Sequence, residues 1–214
     1  MIIFFDVDGV LINGWHANPS LRKPWDLNIE KDLGVDRGGF QRRFFGIDGF
    51  RHLSPMAECA SGRRDLKEAL RKILPSVGFS GPVDDFVKYW FEKDSLINDD
   101  VMKLVRRLAD DGEIKLFLAT GQEHYRARYL WDDLGFRHHF DGIFYSASIG
   151  FSKKERQFFQ AINRALDISP DEKPLFFDDQ PEIISLANEA GWDGKEFISV
   201  EDIQNHRRLV HIWR

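Results

Sequence analysis

The chain has 214 residues, of which 43% are hydrophobic and 30% are charged, with a formal net charge of −5. This balance is typical of a soluble globular protein, and the acidic charge argues against non-specific binding to nucleic acid. The one cysteine, Cys59, excludes an intrachain disulfide, no apolar run could span a bilayer, and the apolar start is too short for a signal peptide. We therefore expect a cytoplasmic protein with one core domain, with or without a smaller insert.

Short apolar runs recur along the chain and predict buried strands. They cover residues 2–5, 114–120, 142–146 and 174–179, with a weaker case at 196–200. These runs are apolar at nearly every position, which is typical of parallel strands covered by helices on both faces. Helical patterns lie between them at 98–112, 153–166 and 181–191. The alternation predicts an α/β fold with a doubly wound parallel sheet.

Residues 14–96 have a different pattern, because no strand-like run occurs there. The stretches "RRDLKEALRKIL" and "VDDFVKYWFEKD" have apolar residues at helical spacing, and "DRGGFQRRFFG" predicts a third helix weakened by its glycines. This segment is too long to be a plain loop in a compact domain. We predict an α/β core formed by residues 1–13 and 97–214, interrupted by a separate helical lobe at 14–96.

Oxygen-bearing side chains follow three of the predicted strands. Asp6 and Asp8 follow the first, Thr120 ends the second, and Asp178 and Asp179 end a third. In an open α/β sheet, ligands bind beyond the carboxyl ends of the strands. Carboxylates that meet there repel one another unless a cation neutralises them, and hard oxygen ligands suit Mg²⁺.

The same residue types support phosphoryl transfer. A carboxylate near Mg²⁺ and a phosphate can attack phosphorus, and a second carboxylate can protonate the leaving oxygen and later activate water. A hydroxyl and a lysine would bind the oxygens of the transferring group. Thr120 offers the hydroxyl, and "SKKE" offers Lys153 and Lys154.

At these residues the sequence resembles the haloacid dehalogenase (HAD) superfamily. "FFDVDGVL", "LFLATGQ", "GFSKKERQFF" and "LFFDDQPEII" are similar to its four motifs and occur in the family's order. The resemblance covers residues 1–12 and 98–191. The insert between the first and second motifs matches the helical C1 cap of subfamily I, so the resemblance implies a HAD-like, Rossmannoid core with an inserted helical cap.

The resemblance implies a role for each acidic residue. Asp6 would be the nucleophile and a ligand of Mg²⁺. Asp8 would be the general acid and base, with its backbone carbonyl on the metal. Asp179 would be the direct metal ligand of its pair, and Asp178 would lie behind it in the second layer of contacts.

The resemblance also implies which groups bind the phosphoryl oxygens. Thr120 would do so with its hydroxyl, Gly121 with its backbone N–H, and a lysine with its ammonium group. Aligning Glu155 with the family's Lys-Pro-Glu pattern selects Lys153 as a catalytic and substrate-binding residue, although the proline is missing and Lys154 stands in its place. Lys154 is therefore the alternative.

These roles imply a Mg²⁺-dependent phosphatase that hydrolyses a small phosphorylated metabolite, a phosphomonoester, through an aspartyl-phosphate intermediate. Dehalogenases proper lack an aspartate at the position of Asp8, so its presence favours phosphoryl chemistry. The alternatives are a sugar phosphomutase and a non-catalytic regulator that binds a phospho-ligand. Arg42 and Arg43 of the insert either reach a distal anionic part of the substrate or flank a buried phenylalanine pair, and we favour the structural interpretation.

Overall fold

All five strands found in the described part of the chain run in the same direction. The computed structural model describes residues 1–13, 23–47 and 50–213. The strands are β1 (Ile2–Phe5), β2 (Lys115–Thr120), β3 (Gly142–Tyr145), β4 (Leu175–Asp178) and β5 (Asp193–Glu196). Their order is β3-β2-β1-β4-β5, with Ile3 of β1 level with Leu116 and Leu175. The carboxyl ends of the strands therefore lie along one edge of the sheet.

Helices cover both faces of this sheet. The core helices are α6 (Asp99–Ala109), α7 (His124–Arg128), α8 (Ser146–Ile149), α9 (Arg156–Ala165), α10 (Pro181–Glu189) and α11 (Val200–Gln204). Phe5 of β1 faces one side and belongs to the same apolar cluster as Val105 of α6. Phe4 faces the opposite side and clusters with Phe159 of α9 and Ile183 of α10. The predicted α/β fold with a doubly wound sheet is confirmed.

The prediction for the last strand was wrong. The expected strand at 196–200 is replaced by β5 at Asp193–Glu196, which is mostly polar because it lies at the edge of the sheet and pairs only with β4. The apolar signal came from Phe197, which is buried in the core just after the strand. Ser199 then caps the start of α11 in a reciprocal arrangement with Asp202.

Helices also form the described part of the insert, which consists of residues 23–47 and 50–96. Five are α-helices: α1 (Ile29–Leu33), α2 (Arg37–Phe40), α3 (Pro55–Ala60), α4 (Leu66–Ile73) and α5 (Val83–Lys93). A π-helical turn at Gln41–Phe45 continues α2, and 3₁₀ turns lie at Arg51–Leu53 and Leu74–Val77. The three predicted helices are present, whereas α1 and α3 were not predicted. Residues 14–22 and 48–49 of the predicted lobe lie outside the described residues.

The insert packs around an apolar cluster of its own. Phe40, Phe44, Leu70 and Phe86 are fully buried in it. The longest helices in the described part of the chain, α5 and α6, have 11 residues each and are too short to cross the apolar core of a membrane.

A buried arginine of the core holds the end of the last insert helix. Arg126 of α7 donates hydrogen bonds to the carbonyls of Phe91 (3.0 Å) and Asp94 (2.6 Å) and to Oγ of Ser95 (2.8 Å). The carbonyls at the C-terminus of a helix have no partner within the helix, so a cation placed there stabilises it. Arg126 therefore fixes the position at which the insert returns to the core.

Candidate active site

Three carboxylates meet at the carboxyl edge of the sheet. Asp6 directly follows β1, Asp178 ends β4, and Asp179 follows it. One oxygen of each lies within 4.8 Å of the others, and all three residues are buried. The backbone N–H of Asp6 donates to the carbonyl of Phe177 at 2.9 Å, which holds the ends of β1 and β4 together.

The turn after Asp8 depends on a glycine. Gly9 has φ of +95°, and a Cβ at this position would lie 2.1 Å from Oδ2 of Asp179. Glycine is therefore needed for the backbone conformation and also for the close approach of the Asp179 carboxylate. The glycine of the first motif lets the two strand ends converge.

Lys153 joins two of the carboxylates. Its Nζ lies 2.7 Å from Oδ2 of Asp6 and 2.7 Å from Oδ2 of Asp178, and its side chain is buried. Its backbone N–H donates to Oγ of Ser146 at 2.9 Å, which fixes the turn that precedes α9. Lys154 is exposed, and its backbone N–H donates to Oγ of Ser152. The structure thus brings Lys153, rather than Lys154, to the predicted nucleophile.

The charges of this group shift the pKa values of its members. Burial raises the pKa of the Asp6 carboxyl above its ordinary value, Asp178 acts in the same direction, and Lys153 opposes both. Burial alone would lower the pKa of Lys153, but the charges of Asp6 and Asp178 outweigh it and hold the pKa above its ordinary value. Lys153 therefore supplies the positive charge that faces Asp6 and Asp178.

The donor set fits a hard divalent cation. Three buried carboxylates face one buried ammonium group, so negative charge is left in excess. Oδ1 of Asp6 has no hydrogen-bond partner among the residues that the structure describes. Both oxygens of Asp178 are engaged, Oδ2 by Lys153 and Oδ1 by the N–H of Gln180 at 2.9 Å. Carboxylate oxygens with free lone pairs are typical ligands of Mg²⁺.

Asp8 faces a glutamine that the sequence analysis missed. Gln122 donates from Nε2 to Oδ2 of Asp8 at 2.5 Å, and the same nitrogen lies 3.4 Å from Oγ1 of Thr120. Gln122 is buried, two residues after Thr120. Its place just beyond a strand end was the available signal, because such positions border the ligand site. Ser146, which supports Lys153 from the end of β3, was missed as well.

These residues open into one cleft of about 610 Å³ between the core and the insert. The predicted residues Asp6, Asp8, Thr120, Gly121 and Lys153 line it. Asp178 and Asp179 are buried beside it in the carboxylate group.

The insert supplies the opposite wall of the cleft, through Arg51, His52, Ala57, Ala60, Ser61 and Arg63. Arg42 and Arg43 are exposed and are not among the lining residues, whereas the adjacent Phe44 is fully buried. Their position agrees with the structural interpretation of these two arginines. The basic residues of the insert that do reach the cleft had no sequence signal.

Solved structures with the same fold were found by comparison. One is a HAD family enzyme from Bacteroides thetaiotaomicron in complex with magnesium and inorganic phosphate, with TM-score 0.70, 19% identity and coverage of 91% of this chain and 92% of that one. The YfnB protein from Bacillus subtilis bound to magnesium has TM-score 0.58, 16% identity and coverage of 95% and 96%. The L-2-haloacid dehalogenase from Xanthobacter autotrophicus, with chloropropionic acid covalently bound, has TM-score 0.61, 15% identity and coverage of 98% and 82%.

The similarity to these structures, at less than 20% identity, extends to the fold. The chain has no significant match among curated protein sequences. A sequence model of the haloacid dehalogenase-like hydrolases matches residues 1–191, which is most of the chain and includes all four motifs. The chain therefore belongs to the haloacid dehalogenase-like hydrolase family, and it is an enzyme of that family.

Proposed function

We propose that the protein is a Mg²⁺-dependent phosphatase that hydrolyses a small phosphomonoester through an aspartyl-phosphate intermediate. The observation that carries this proposal is that two carboxylates, those of Asp6 and Asp8, line the same cleft. Asp6 belongs to the buried carboxylate group with Lys153, whereas Asp8 points to Gln122 outside that group. Two carboxylates in different surroundings are suited to the different roles of nucleophile and proton carrier.

Mg²⁺ would be held by the carboxylates of Asp6 and Asp179 and by the backbone carbonyl of Asp8. Asp178 would support Lys153 and the turn at Gln180, since both of its oxygens are engaged there. Two proteins with the same fold, from Bacteroides thetaiotaomicron and Bacillus subtilis, have been crystallised with magnesium. When bound, Mg²⁺ would neutralise carboxylate charge and the negative charge of the transferring phosphoryl group.

In the first half of the reaction, a carboxylate oxygen of Asp6 attacks phosphorus, and the bond between phosphorus and the ester oxygen breaks. Asp8, in its protonated form, gives its proton to the leaving oxygen, so that the alcohol departs neutral. The hydrogen bond from Gln122 holds the Asp8 carboxyl in one orientation for this transfer. The products of this half are the alcohol and phosphorylated Asp6.

In the second half, water attacks the phosphorus of the acyl phosphate. Asp8, now ionised, removes a proton from that water, and the bond between phosphorus and the Asp6 oxygen breaks. Inorganic phosphate leaves, the Asp6 carboxylate is regenerated, and Asp8 is again protonated. The cycle consumes one water molecule for each ester bond cleaved.

The oxygens of the transferring group would contact residues from the end of β2 and from the turn before α9. We assign them to the Thr120 hydroxyl, the Gly121 N–H and the Lys153 ammonium group, all of which line the cleft. Positive charge and N–H donors placed before the reaction stabilise the charge on the phosphoryl oxygens without reorganisation. Lys153 therefore has two functions, because it also balances the charge of Asp6.

Residues 14–96 would act as the cap that excludes water and selects the substrate. The insert has its own apolar cluster and supplies one wall of the cleft. It approaches the core closely at Gly62, where a Cβ would lie 2.5 Å from the carbonyl oxygen of Ala147. Movement between domains is described for the magnesium-bound YfnB structure, which has the same fold.

Release of inorganic phosphate is the direct test of this proposal. Native protein and Asp6→Asn would be tested with a panel of phosphomonoesters, with and without Mg²⁺, and phosphate would be quantified. We expect Mg²⁺-dependent release from the native protein and none from Asp6→Asn. Conversion of a sugar phosphate to its isomer without release of phosphate would indicate a mutase. Binding of Mg²⁺ and phosphate without any turnover would instead indicate a regulatory protein.

A further inference from the structure

The side of the cleft away from the carboxylate group is basic. Its charged side chains, supplied by the insert, are Arg51 and Arg63. On the core side, Lys154 and Glu155 also line the cleft, and the carboxylate of Glu155 accepts a hydrogen bond from the N–H of Ser152 at 2.7 Å. No acidic residue from the described part of the insert lines the cleft. The phosphoryl group of a substrate would already be bound at the opposite side, by Thr120 and Lys153.

Arg63 stands out because its neighbours are paired. Arg64 forms an ion pair with Glu58 at 3.0 Å, and Lys67 forms one with Asp84 at 2.5 Å. The guanidinium of Arg63 has no hydrogen bond or ion pair with the parts of the chain that the structure describes, although it lines the cleft. It presents five N–H donors in a planar arrangement that matches a carboxylate or a phosphate.

The backbone around Arg63 is fixed against the core. Gly62 has φ of +73° and contacts the backbone of Ala147, and the N–H of Arg63 donates to the carbonyl of Glu58 at 3.0 Å. Ala147 directly follows Ser146, whose hydroxyl accepts from the N–H of Lys153. The loop that carries Arg63 therefore packs on the same core segment that supports the phosphoryl site.

We infer that the substrate is a phosphomonoester whose leaving group carries a second anion, bound by Arg63 with Lys154 on the core side. This inference rests on the proposed function. The second anion is a carboxylate or another phosphate, since both accept hydrogen bonds from a guanidinium in the same way. A cleft of about 610 Å³ has room for a substrate much larger than a phosphoryl group.

The experiment compares substrates that differ by one anionic group. Glycerol phosphate is paired with phosphoglycerate, and fructose 6-phosphate with fructose 1,6-bisphosphate, so that the first pair tests a carboxylate and the second a phosphate. kcat/KM is measured for the native protein, for Arg63→Gln and for Arg43→Gln. Arg43 is an exposed cap arginine outside the cleft, so its variant changes the net charge equally.

We expect the native protein to prefer the substrate with the second anion by about tenfold or more in at least one pair, as for one charge-assisted hydrogen bond. Arg63→Gln would lose most of that preference. Arg43→Gln would keep the preference. The pair in which the preference occurs identifies the second anion as carboxylate or phosphate.

Three results would overturn the inference. Equal kcat/KM within both pairs, with phosphate release intact, would show that no second anion is bound, while the proposed function would stand. An equal loss in Arg63→Gln and Arg43→Gln would assign the preference to net charge instead of a binding site. Absence of phosphate release from every substrate would overturn the proposed function together with this inference.

Discussion

Gln122 donates a hydrogen bond from its side-chain amide to Asp8 across 2.5 Å. The amide is buried at the end of β2, whereas Asp8 lies beyond the end of β1. The bond therefore links two neighbouring strand ends and orients the proposed proton carrier toward the cleft. The orientation of a general acid matters because proton transfer requires hydrogen-bond geometry with the reacting oxygen.

Replacing Gln122 by methionine, which has a similar volume and no amide, should slow the chemical step. We expect kcat to fall by about tenfold or more, with a smaller change in KM, because substrate contacts remain while Asp8 loses its fixed orientation. Steady-state kinetics of phosphate release provide the measurement. Gln157→Met, at an exposed position of α9, is the matched control. An unchanged kcat in Gln122→Met would show that Asp8 needs no support from this amide.

Substitution of the two adjacent lysines should have very different effects on kcat and on stability. Lys153→Met removes the cation that bridges Asp6 and Asp178, so we expect kcat to fall by about 100-fold or more. The variant should also unfold at a lower temperature in the absence of Mg²⁺, because two buried carboxylates lose their counter-charge. Lys154→Met should retain native stability, with its effect confined to KM, since Lys154 is exposed. Similar kcat losses in both variants would contradict the assignment of Lys153.

Substitution by alanine should destabilise the protein at Gly9, beside the Asp179 carboxylate, but not at Gly121 in the cleft lining. Gly9→Ala places a Cβ against the Asp179 carboxylate in a left-handed backbone, and we expect the free energy of unfolding to fall by about 2 kcal/mol or more. At Gly121 the nearest atom to a Cβ is 4.0 Å away, so Gly121→Ala should change the free energy of unfolding by less than about 0.5 kcal/mol. Urea unfolding measures both values. Isothermal titration with Mg²⁺ should show weaker binding in Gly9→Ala alone.

Sequence patterns located the sheet and the carboxylate group because both depend on local signals. Buried parallel strands such as β1 and β4 are apolar along their length, and the carboxylate group lies at their ends. The edge strand β5 was misplaced, since an edge strand does not need apolar residues on both faces. The sequence pattern selected Lys153 with Lys154 as the alternative, and in the structure it is Lys153, in the turn that packs on Ser146, that lies beside Asp6.

The basic wall of the cleft could not be predicted from the sequence. Arg63 lies next to Arg64, and both look like solvated charges at the start of the same helical stretch. Their difference appears only in three dimensions, where Arg64 pairs with Glu58 and Arg63 turns toward the cleft. The long-range placement of the insert on the core, rather than a local pattern, decides which residues of the insert line the cleft.

Glu123, close to the junction between the insert and the core, should make the stability of the protein depend on pH. It caps α7, where its carboxylate accepts hydrogen bonds from the N–H groups of Tyr125 (2.8 Å) and Arg126. Burial raises the pKa of Glu123 from 4.5 to about 7, against the opposing effect of these hydrogen bonds. Between about pH 4.5 and pH 7, the folded state therefore holds a proton on Glu123 that the unfolded state has released. The stability contributed by this group is therefore present below about pH 4.5 and is lost as the pH rises through about 7.

Glu123→Gln should remove this dependence, because glutamine keeps an oxygen acceptor for the cap and carries no charge. We expect the free energy of unfolding of the variant, relative to that of the native protein, to increase by on the order of 2 kcal/mol as the pH rises from 5 to 8. Urea unfolding at each pH measures the difference, and Glu182→Gln, an exposed glutamate in the first turn of α10, is the control. A difference between Glu123→Gln and native protein that stays constant over this range, or that falls with rising pH, would show that Glu123 is ionised in the folded protein throughout. The ionised carboxylate would then be stabilised by the N–H groups of Tyr125 and Arg126, from which it accepts hydrogen bonds.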